Sequence, residues 1–457
     1  MYKRQNKYIT TEVQGHHPIS DNALTVLAER YLAKDKSGKV CESPTGLFKR
    51  VAAHIAYIED SMEYPLGRID DREIETRGDL FNLFYDMIAS RKFLPNTPAL
   101  VNAGRAGFTG TMHACYVLPI EDNFESIYGT LGTAAKIFKG GGGVGYNFSS
   151  LRPAGFNIST SNGVSSGPVS FMRLYDASCQ AISQGGIRRG AQMAILDVRH
   201  PDIMDFIRCK NEEGLITNFN ISVGITDDFM SAVDIDDTFD LEFPVGTNNV
   251  VNTVRARDIW DAIIDGGYKN GEPGAIFIDT INSNNPLSER IICTNPCGEQ
   301  PLLANEPCVL GSIDLAKFVV QTNGASGPSF DIDWDGLKFT AKLATRFLDN
   351  MIDASNYATD DIRNKAMSTR RVGLGVMGFA HALYKMGCPY TSGGAEQYAN
   401  DFMHFINKAA VEESHNMAFD RGAYPAKPGL NRRNVAVTTI APTGTISMLA
   451  DLSLIHI

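Results

Sequence analysis

Residues 143–198 decide the fold class that this chain can adopt. They begin with GVGYNFS (143–149), continue with VSFMRLYDASCQAIS (169–183) and end with MAILDV (193–198). The outer segments are short and apolar, as buried strands are, whereas the middle segment has the length of a helix. A strand, a helix and a second strand in this order predict α/β architecture.

The same alternation continues on both sides of this stretch, and we predict that residues 92–451 form one α/β domain. Alternation over this length favours either a doubly wound sheet or a barrel. The further strand-like segments are ACYVLPI (114–120), NISVGIT (220–226), AIFIDT (275–280) and NVAVTTIAP (434–442), and further helices are expected at 337–355 and near 394–421.

The N-terminal residues have a different pattern, which predicts a small helical domain at 1–91. SDNALTVLAERYLA (20–33) starts with Ser20 or Asp21 as a candidate N-cap, and its apolar residues recur on a helical period. SPTGLFKRVAAHIAYIED (43–60) repeats this pattern, with a serine before a proline in the first turn.

Composition restricts the class of protein. The chain of 457 residues is 43% hydrophobic and has a net charge of −10, which disfavours nucleic acid as a partner. No run reaches the ~18 apolar residues of a membrane span, and the N-terminus lacks the apolar core of a signal peptide. Eight cysteines are too few for a disulfide scaffold, so we expect a reducing, cytoplasmic location without membrane contact.

The last six residues, LSLIHI (452–457), look foreign to the protein. The bases CTGTCTCTTATACACATC, which end a sequencing-library adaptor, encode the same residues. We therefore expect that this tail is not native and that the natural chain continues past residue 451. The gene recovered from source DNA tests this expectation.

Two glycine-rich segments match the dinucleotide-binding fingerprint G-x-G-x-x-G. The fingerprint needs a strand before it and a helix after it. The match at 373–378 is preceded by MSTRR, which is not a strand, and the match at 140–145 is followed by strand-like VGYNFS instead of a helix. A nicotinamide-dependent dehydrogenase is therefore a distant alternative. The matching residues are Gly373, Gly375 and Gly378 in the first segment and Gly140, Gly142 and Gly145 in the second.

APTGTIS (441–447) is a candidate phosphate-binding turn. It follows an apolar segment and places the hydroxyls of Thr443, Thr445 and Ser447 around Gly444. Backbone amides at the start of a helix bind phosphate well. An ordinary turn with an N-cap is the alternative, and these residues alone do not decide between the two.

The most unusual segment is IICTNPCGEQPLL (291–303), in which Pro and Gly interrupt any regular helix or strand. Cys297 has Asn295 and Glu299 two residues away, on the same side of an extended backbone. Glu299 can act as a general base, and Asn295 can orient a polar substrate. The neighbouring cysteines lack the paired spacing of a zinc site, so we expect no metal. For Cys297 itself, a buried structural thiol is the alternative to a catalytic role.

Eight motifs in this order resemble the catalytic subunits of ribonucleotide reductases, over residues 20–451. The resemblance implies a ten-stranded α/β barrel of two five-stranded halves, its last strands missing here, with a finger loop at 293–303 threaded inside it. NTPAL and APTGTIS look most like the class II, adenosylcobalamin-dependent members. The motifs are NTPAL (96–100), HACYVLP (113–119), GGGVGYNFSSLRP (141–153), SGPVSFMRLYDA (166–177), QGGIRRGAQM (184–193), TNPCGEQPL (294–302), CVLGSIDL (308–315) and APTGTIS (441–447).

The resemblance implies a radical reaction at the ribose. It makes Cys297 the site of a transient thiyl radical that takes the 3′-hydrogen, Glu299 the base for the 3′-hydroxyl, and Asn295 the amide that positions the substrate hydroxyls. Cys115 and Cys308 are implied to reduce C2′ and to become a disulfide, since a dithiol supplies two electrons when it closes.

The resemblance also implies nucleotide-binding residues away from this centre. Asp176 lies on the helix that would bind a deoxynucleotide or ATP effector across a dimer interface, and the loop after it would report the effector to the substrate base. The implied substrate-phosphate residues are Thr97, Thr443, Gly444, Thr445 and Ser447, and the implied effector-loop residues are Gln184, Arg188 and Arg189.

The implied partners are a ribonucleoside di- or triphosphate substrate, a second copy of the chain, and a thioredoxin- or glutaredoxin-type reductant. Adenosylcobalamin is the favoured radical source. The alternative is a separate radical-generating subunit with a dinuclear metal cofactor. A nucleotide-binding remnant without activity is a further alternative, although the intact cysteine, asparagine and glutamate set argues against it.

Overall fold

A computed structural model of the chain describes residues 19–105, 107, 110–158, 162–183, 190–212, 214–324 and 327–452. The described residues divide into two compact units. The first unit holds those of 19–114, 308–357 and 363–452, and the second holds those of 115–307 and 358–362. The boundary predicted between residues 91 and 92 stays a prediction, since described residues on both of its sides lie in the first unit.

The strands and helices of the described residues are numbered along the chain. The strands are β1 (Arg68–Ile69), β2 (Arg72–Glu73), β3 (Phe93–Pro95), β4 (Cys115–Leu118), β5 (Gly143–Asn147), β6 (Asn157–Ile158), β7 (Gly163–Val164), β8 (Gln192–Asp197), β9 (Phe219–Ile225), β10 (Thr238–Glu242), β11 (Val250–Arg255), β12 (Gly274–Phe277), β13 (Cys293–Thr294), β14 (Pro301–Leu302), β15 (Pro307–Asp314), β16 (Val319–Gly324), β17 (Gly327–Ile332) and β18 (Val372–Met377). The helices are α1 (Asp21–Val26), α2 (Pro44–Ser61), α3 (Arg77–Ala89), α4 (Thr97–Asn102), α5 (Phe124–Lys139), α6 (Pro168–Ser183), α7 (Ile203–Arg208), α8 (Asp227–Asp234), α9 (Ala256–Asn270), α10 (Ile278–Ser283), α11 (Trp334–Ala354), α12 (Asp360–Thr369), α13 (Phe379–Lys385), α14 (Gly393–Arg421) and α15 (Gly444–Leu449).

The helices predicted near the N-terminus are confirmed, and serine side chains cap two of them. Ser20 accepts a hydrogen bond from the amide of Ala23 at 3.2 Å, and α1 continues as a π-helical turn over Leu27–Tyr31. Ser43 accepts from the amide of Gly46 at 3.0 Å at the start of α2. These caps satisfy amides that have no partner inside a helix, so the local sequence is sufficient to mark where these helices begin.

The second unit is built on five parallel strands that follow chain order, β4, β5, β8, β9 and β12. Helices lie in the connections between strands, as parallel pairing requires. The α/β architecture predicted for this region is confirmed, and the bounds of the five predicted strands differ by at most three residues from the observed ones.

The two faces of this sheet differ sharply in side-chain size. One face carries a cluster of aromatic rings, in which Tyr146 lies 5.1 Å from Tyr175 and Phe148 lies 6.2 Å from Phe219 between ring centroids. The opposite face of β5 carries Gly143 and Gly145, which share a face because alternate residues of a strand do. The aromatic face supplies core, whereas the glycine face leaves room for another segment of backbone.

The first unit contains the mixed set β3, β15 and β18 and the long helices α2, α11 and α14. β15 pairs with β18 in parallel and with β3 in antiparallel orientation. The strand predicted at 434–442 is wrong in extent: its backbone bonds to β18 but forms only a single parallel bridge, between Leu374 and Thr438. The bonds on either side of that bridge are too irregular for a ladder.

The glycine fingerprint at 373–378 proves to be part of a strand. Gly373 and Gly375 lie inside β18, and a Cβ on Gly375 would come within 2.8 Å of the carbonyl oxygen of Thr439. These glycines therefore permit close approach of two backbones. No phosphate-binding turn follows a strand in the way that a dinucleotide fingerprint requires, so the dehydrogenase alternative has no support among these residues.

A buried network of charges holds the long helices of the first unit together. Arg346 on α11 donates to both carboxylate oxygens of Glu59 on α2, at 2.7 and 2.6 Å. Arg370 binds Asp349 at 2.9 Å, and Arg433 binds the other oxygen of Asp349 at 3.3 Å. Burial alone raises the pKa of Asp349, but these arginines outweigh it and hold that pKa well below its usual range.

Within the described ranges, no helix combines the length and the apolar character that crossing a membrane requires.

Candidate active site

The segment interrupted by Pro and Gly forms a short hairpin, which we call the finger hairpin (residues 293–302). β13 and β14 pair antiparallel, with Cys293 opposite Leu302 and Thr294 opposite Pro301. At the tip, the amide of Gly298 donates to the carbonyl of Asn295 at 3.1 Å. Gly298 has φ +82°, a left-handed conformation that glycine adopts without strain. Proline and glycine therefore end the strands here and leave Cys297 on the turn.

The finger hairpin lies on the glycine face of β5. A Cβ on Gly145 would be 1.8 Å from the carbonyl oxygen of Thr294, and a Cβ on Gly143 would be 2.8 Å from Cγ of Pro296. Real Cβ atoms do not approach so closely, so the hairpin can occupy this place only because β5 has glycine at both positions. The second glycine-rich segment thus has a structural role that the fingerprint interpretation missed.

Three of the predicted catalytic residues meet beside this hairpin. Nδ2 of Asn295 donates to Oε2 of Glu299 at 2.6 Å and to Sγ of Cys115 at 3.1 Å. The thiol of Cys115 donates to Oε1 of Glu299 at 3.8 Å. Oδ1 of Asn295 accepts from the amide of Gln300 at 2.9 Å, so the buried amide group is satisfied at both ends.

This arrangement combines a thiol, a carboxylate and an oriented amide. The carboxylate of Glu299 is partly exposed, so a substrate can reach it, whereas Asn295 and Cys115 are buried. A partly exposed carboxylate beside a thiol can accept a proton from a substrate hydroxyl. The amide can hold a second hydroxyl in a fixed direction because its own orientation is fixed.

The remaining two predicted catalytic cysteines differ in burial. Cys297 is exposed at the tip of the finger hairpin, one residue from Gly298. Cys308 is buried at the start of β15 in the first unit, where its carbonyl accepts from the amide of Ala114. The disulfide between Cys115 and Cys308 stays a prediction.

A second thiol in the hairpin has a different character from Cys297. Cys293 is fully buried, and burial raises the pKa of its thiol well above the usual range. Burial and a raised pKa both disfavour the reactive thiolate at this position. Across the described residues, no three His, Cys, Asp or Glu side chains are grouped as metal ligands.

The predicted substrate-phosphate residues lie at the starts of two short helices of the first unit. Thr97 is the first residue of α4, and its Oγ1 lies 3.1 Å from the hydroxyl of Tyr31. Thr443 precedes α15 with φ +54°, and the hydroxyl of Ser447 donates to the carbonyl of Gly444 at 3.2 Å. Thr445 lies in the first turn of the same helix. Their role in phosphate binding stays a prediction.

The predicted effector residues are described only in part. Asp176 on α6 accepts from the backbone amide of Asn218 at 2.8 Å and from its side chain at 3.1 Å. This carboxylate thus fixes the entry to β9. Gln184, Arg188 and Arg189 lie outside the described residues.

Two asparagines that sequence reasoning missed anchor the finger hairpin to the sheet. Asn220 at the start of β9 donates Nδ2 to the carbonyl of Pro296 at 2.7 Å. Asn147 at the end of β5 donates to the carbonyl of Ile292, also at 2.7 Å. The only signal for this contact in the sequence is the pair of glycines at alternate positions of a strand, which marks a face open to close approach.

Two family models match the chain and together cover most of it. The ribonucleotide reductase barrel domain matches residues 113–427. The ribonucleotide reductase all-alpha domain matches residues 18–107. The predicted fold, an α/β barrel preceded by a helical domain, is confirmed by these matches.

Similar proteins carry reductase names. A vitamin B12-dependent ribonucleoside-diphosphate reductase of Thermoplasma acidophilum is 41% identical, over 99% of this chain and 66% of the relative. A protein of the same name from Mycobacterium tuberculosis strain CDC 1551 is 44% identical, over 96% and 62%. The ribonucleoside-diphosphate reductase subunit alpha of Chlamydia trachomatis is 28% identical, over 80% and 37%. The chain thus spans less than two thirds of the length of these relatives.

Proposed function

Because this chain belongs to the ribonucleotide reductase family, we propose that it reduces ribonucleoside di- or triphosphates to 2′-deoxyribonucleotides for DNA synthesis. The observation that carries the proposal is the contact of Cys115, Asn295 and Glu299 beside the turn that bears Cys297. A thiol, a base and an orienting amide around one reactive cysteine are what a hydrogen-atom transfer at a ribose requires.

The proposed reaction assigns a step to each residue. The Cys297 thiyl radical takes the hydrogen atom from C3′ while Glu299 accepts the proton of the 3′-hydroxyl. The 2′-hydroxyl then leaves as water, with a proton from the Cys115 and Cys308 dithiol. The dithiol provides two electrons and its second hydrogen to C2′ and closes to a disulfide. Glu299 then returns its proton to the 3′-oxygen, and Cys297 returns its hydrogen atom to C3′. In the overall reaction, a ribonucleotide and a dithiol give a deoxyribonucleotide, a disulfide and water.

Asn295 supports this sequence through its position. Its Nδ2 contacts both Glu299 and Cys115, so the base and the reducing thiol are held at one place. A substrate hydroxyl that replaces one of these contacts would lie between the base and the thiol. Such pre-arrangement lowers the entropic cost of a reaction that needs several groups at once.

For the radical source we propose adenosylcobalamin. When bound, this cofactor supplies the radical chemistry that removes a hydrogen atom from a thiol. The exposure of Cys297 fits such a group, since a bulky external donor can reach this thiol but not the buried Cys115. The relatives named for vitamin B12 are also the more similar ones, at 41–44% identity against 28% for the Chlamydia trachomatis subunit.

Two alternatives remain open to experiment. One is the same chemistry driven by a separate subunit with a dinuclear metal cofactor, as the name "subunit alpha" of the Chlamydia trachomatis relative suggests for that protein. The other is a remnant that binds nucleotides without reducing them. The contacts among Cys115, Asn295 and Glu299 favour an active enzyme, since a remnant has no need to keep them.

We further propose a homodimer that binds a deoxynucleotide or ATP effector near Asp176 and the 184–189 loop. The substrate phosphates are assigned to Thr97 and the 443–447 turn. A thioredoxin- or glutaredoxin-type protein would reduce the disulfide after each cycle. The cytoplasmic location is proposed from the low cysteine content of the chain, eight residues in 457.

The test is an assay of the protein expressed from its complete reading frame. Cytidine di- and triphosphate are incubated separately with dithiothreitol, with and without adenosylcobalamin, and deoxycytidine products are measured by chromatography. We expect product only with the cofactor. Product that requires a separate metal-containing subunit favours the first alternative, and nucleotide binding without product under either condition favours the second.

A further inference from the structure

The peptide group that joins Pro296 to Cys297 is held by a residue outside the finger hairpin. Nδ2 of Asn220 donates to the carbonyl oxygen of Pro296 at 2.7 Å. Because a peptide group is planar, fixing this oxygen also fixes the direction of the Cys297 amide and Cα. We infer that Asn220 is a positioning residue for the Cys297 thiol, an inference that rests on the proposed function.

The sheet register explains why this asparagine is in reach. Cys115 on β4 is paired with Gly143 on β5, Gly145 on β5 with Met193 on β8, and Met193 with Asn220 on β9. Paired residues point to the same face, so all five lie on the face that the finger hairpin covers. Gly143, Gly145 and Met193 lie in the middle of that face, with Cys115 on one side and Asn220 on the other.

The finger hairpin is therefore tethered on both flanks of β5. On the β4 side, Asn295 and Glu299 bond to Cys115. On the β9 side, Asn220 bonds to Pro296. With strands ~4.8 Å apart, these tethers are separated by roughly 14 Å of sheet. The Asn147 bond to Ile292 holds only the base of the hairpin, so without the Asn220 bond the tip is held on the β4 side alone and can tilt.

The backbone of β5 beneath Pro296 limits movement of the finger hairpin toward the sheet. A Cβ on Gly143 would lie 2.8 Å from Cγ of Pro296, so the proline ring rests directly on the backbone of β5. The bonds inside the hairpin, such as that from Gly298 to Asn295, shape the turn but do not place it over the sheet. The bond from Asn220 is thus suited to set where the Cys297 thiol stands.

Loss of the hydrogen bond from Asn220 should affect turnover and not substrate affinity. Asn220 acts through the Pro296 carbonyl, and a displacement of about 1 Å in a reacting group can lower a rate ~100-fold. Loss of the tether should therefore lower kcat by about 10- to 100-fold and leave KM within roughly twofold.

Two variants separate the hydrogen bond from simple packing. Asn220→Ala removes the side chain, whereas Asn220→Asp keeps its shape but has no amide to donate. The control is Asn249→Ala, because Asn249 makes the same 2.7 Å bond to a carbonyl, that of Phe243, in an exposed loop of the same unit. Each variant is made in the complete protein and compared by hydrogen exchange over residues 293–302 and by steady-state kinetics.

We expect faster exchange over 293–302 and lower kcat in both Asn220 variants, and wild-type behaviour in Asn249→Ala. The inference is overturned if Asn220→Asp behaves as wild type, if exchange over 293–302 is unchanged in both variants, or if exchange rises uniformly across the second unit. If the wild-type protein reduces no ribonucleotide with either radical source, the proposed function fails. The exchange comparison still decides whether Asn220 holds the tip.

Discussion

At the scale of single residues, the site depends on how Asn295 shares its hydrogen bonds. Its amide nitrogen contacts a carboxylate and a thiol, and its oxygen accepts from a backbone amide. A buried amide with all its partners present has one orientation, since any rotation leaves a polar group unsatisfied. The side chain therefore aligns Glu299 and Cys115 before substrate arrives.

Replacing Cys297 by alanine should abolish ribonucleotide reduction and leave nucleotide binding intact. The thiol is the proposed radical carrier, and alanine cannot transfer a hydrogen atom. Product formation and nucleotide affinity are both measured in the complete protein, with Cys41→Ser as the control because Cys41 is an exposed thiol far along the chain. Residual turnover in Cys297→Ala would remove this residue from the radical role.

Replacing Cys115 by serine should stop repeated turnover while the finger hairpin keeps its place. Serine retains a hydroxyl next to Asn295 but cannot form the predicted disulfide with Cys308. Deoxynucleotide formed per enzyme in the presence of dithiothreitol is the measurement, and Cys308→Ser should behave alike. Wild-type rates in either variant would contradict the pairing.

At the scale of elements, the finger hairpin and β5 fit together because β5 lacks side chains where they meet. The would-be Cβ of Gly145 collides with backbone, at 1.8 Å from the oxygen of Thr294. A backbone atom cannot move out of the way by a change of rotamer, as a flexible side chain can. The hairpin must therefore lift away if any larger residue stands here.

Gly145→Ala should displace the finger hairpin and lower activity by at least about tenfold, since the reacting groups separate. The matched control is Gly129→Ala in α5, where an added Cβ meets nothing within 4 Å. That substitution should be neutral or stabilise the helix by about 0.5–1 kcal/mol. Alkylation of the buried Cys293, followed by mass spectrometry, reports the displacement. Equal protection of Cys293 in both variants would argue against the close fit.

At the scale of the whole molecule, buried charges in the first unit link stability to pH. Glu413 on α14 is 1% exposed, and burial raises the pKa of its carboxyl to about 7 despite the nearby Arg346. The folded state thus binds this proton more tightly than the unfolded chain, where the pKa is near 4.5. The free energy of unfolding should therefore fall as pH rises from about 4.5 to 7.

Glu413→Gln should remove this loss of stability, because glutamine resembles the protonated acid and does not titrate. Relative to wild type, we expect little difference near pH 5 and a gain of at most about 3 kcal/mol at pH 8. Urea unfolding at several pH values measures the difference, with Glu396→Gln in the exposed first turn of the same helix as the control. Parallel wild-type and Glu413→Gln curves from pH 5 to 8 would show that Glu413 is not responsible.

The sequence by itself determined the features that depend on neighbours along the chain. Ser20 and Ser43 cap helices as predicted, because a cap bonds to an amide three residues away. The five parallel strands follow from apolar segments of the right length. The eight motifs in chain order were sufficient to predict the family, and Asn295 and Glu299 do meet.

Only the tertiary structure decided which distant residues share the site. Asn295 contacts Cys115 across 180 positions of the chain, and Asn220 reaches Pro296 across 76. The glycines of β5 match a nucleotide fingerprint in the sequence, but only the tertiary structure shows that the finger hairpin lies on them. The physical reason is that spacing along a chain sets only local bonds. The packing of a strand face against a remote segment depends on sheet register, which no local pattern encodes.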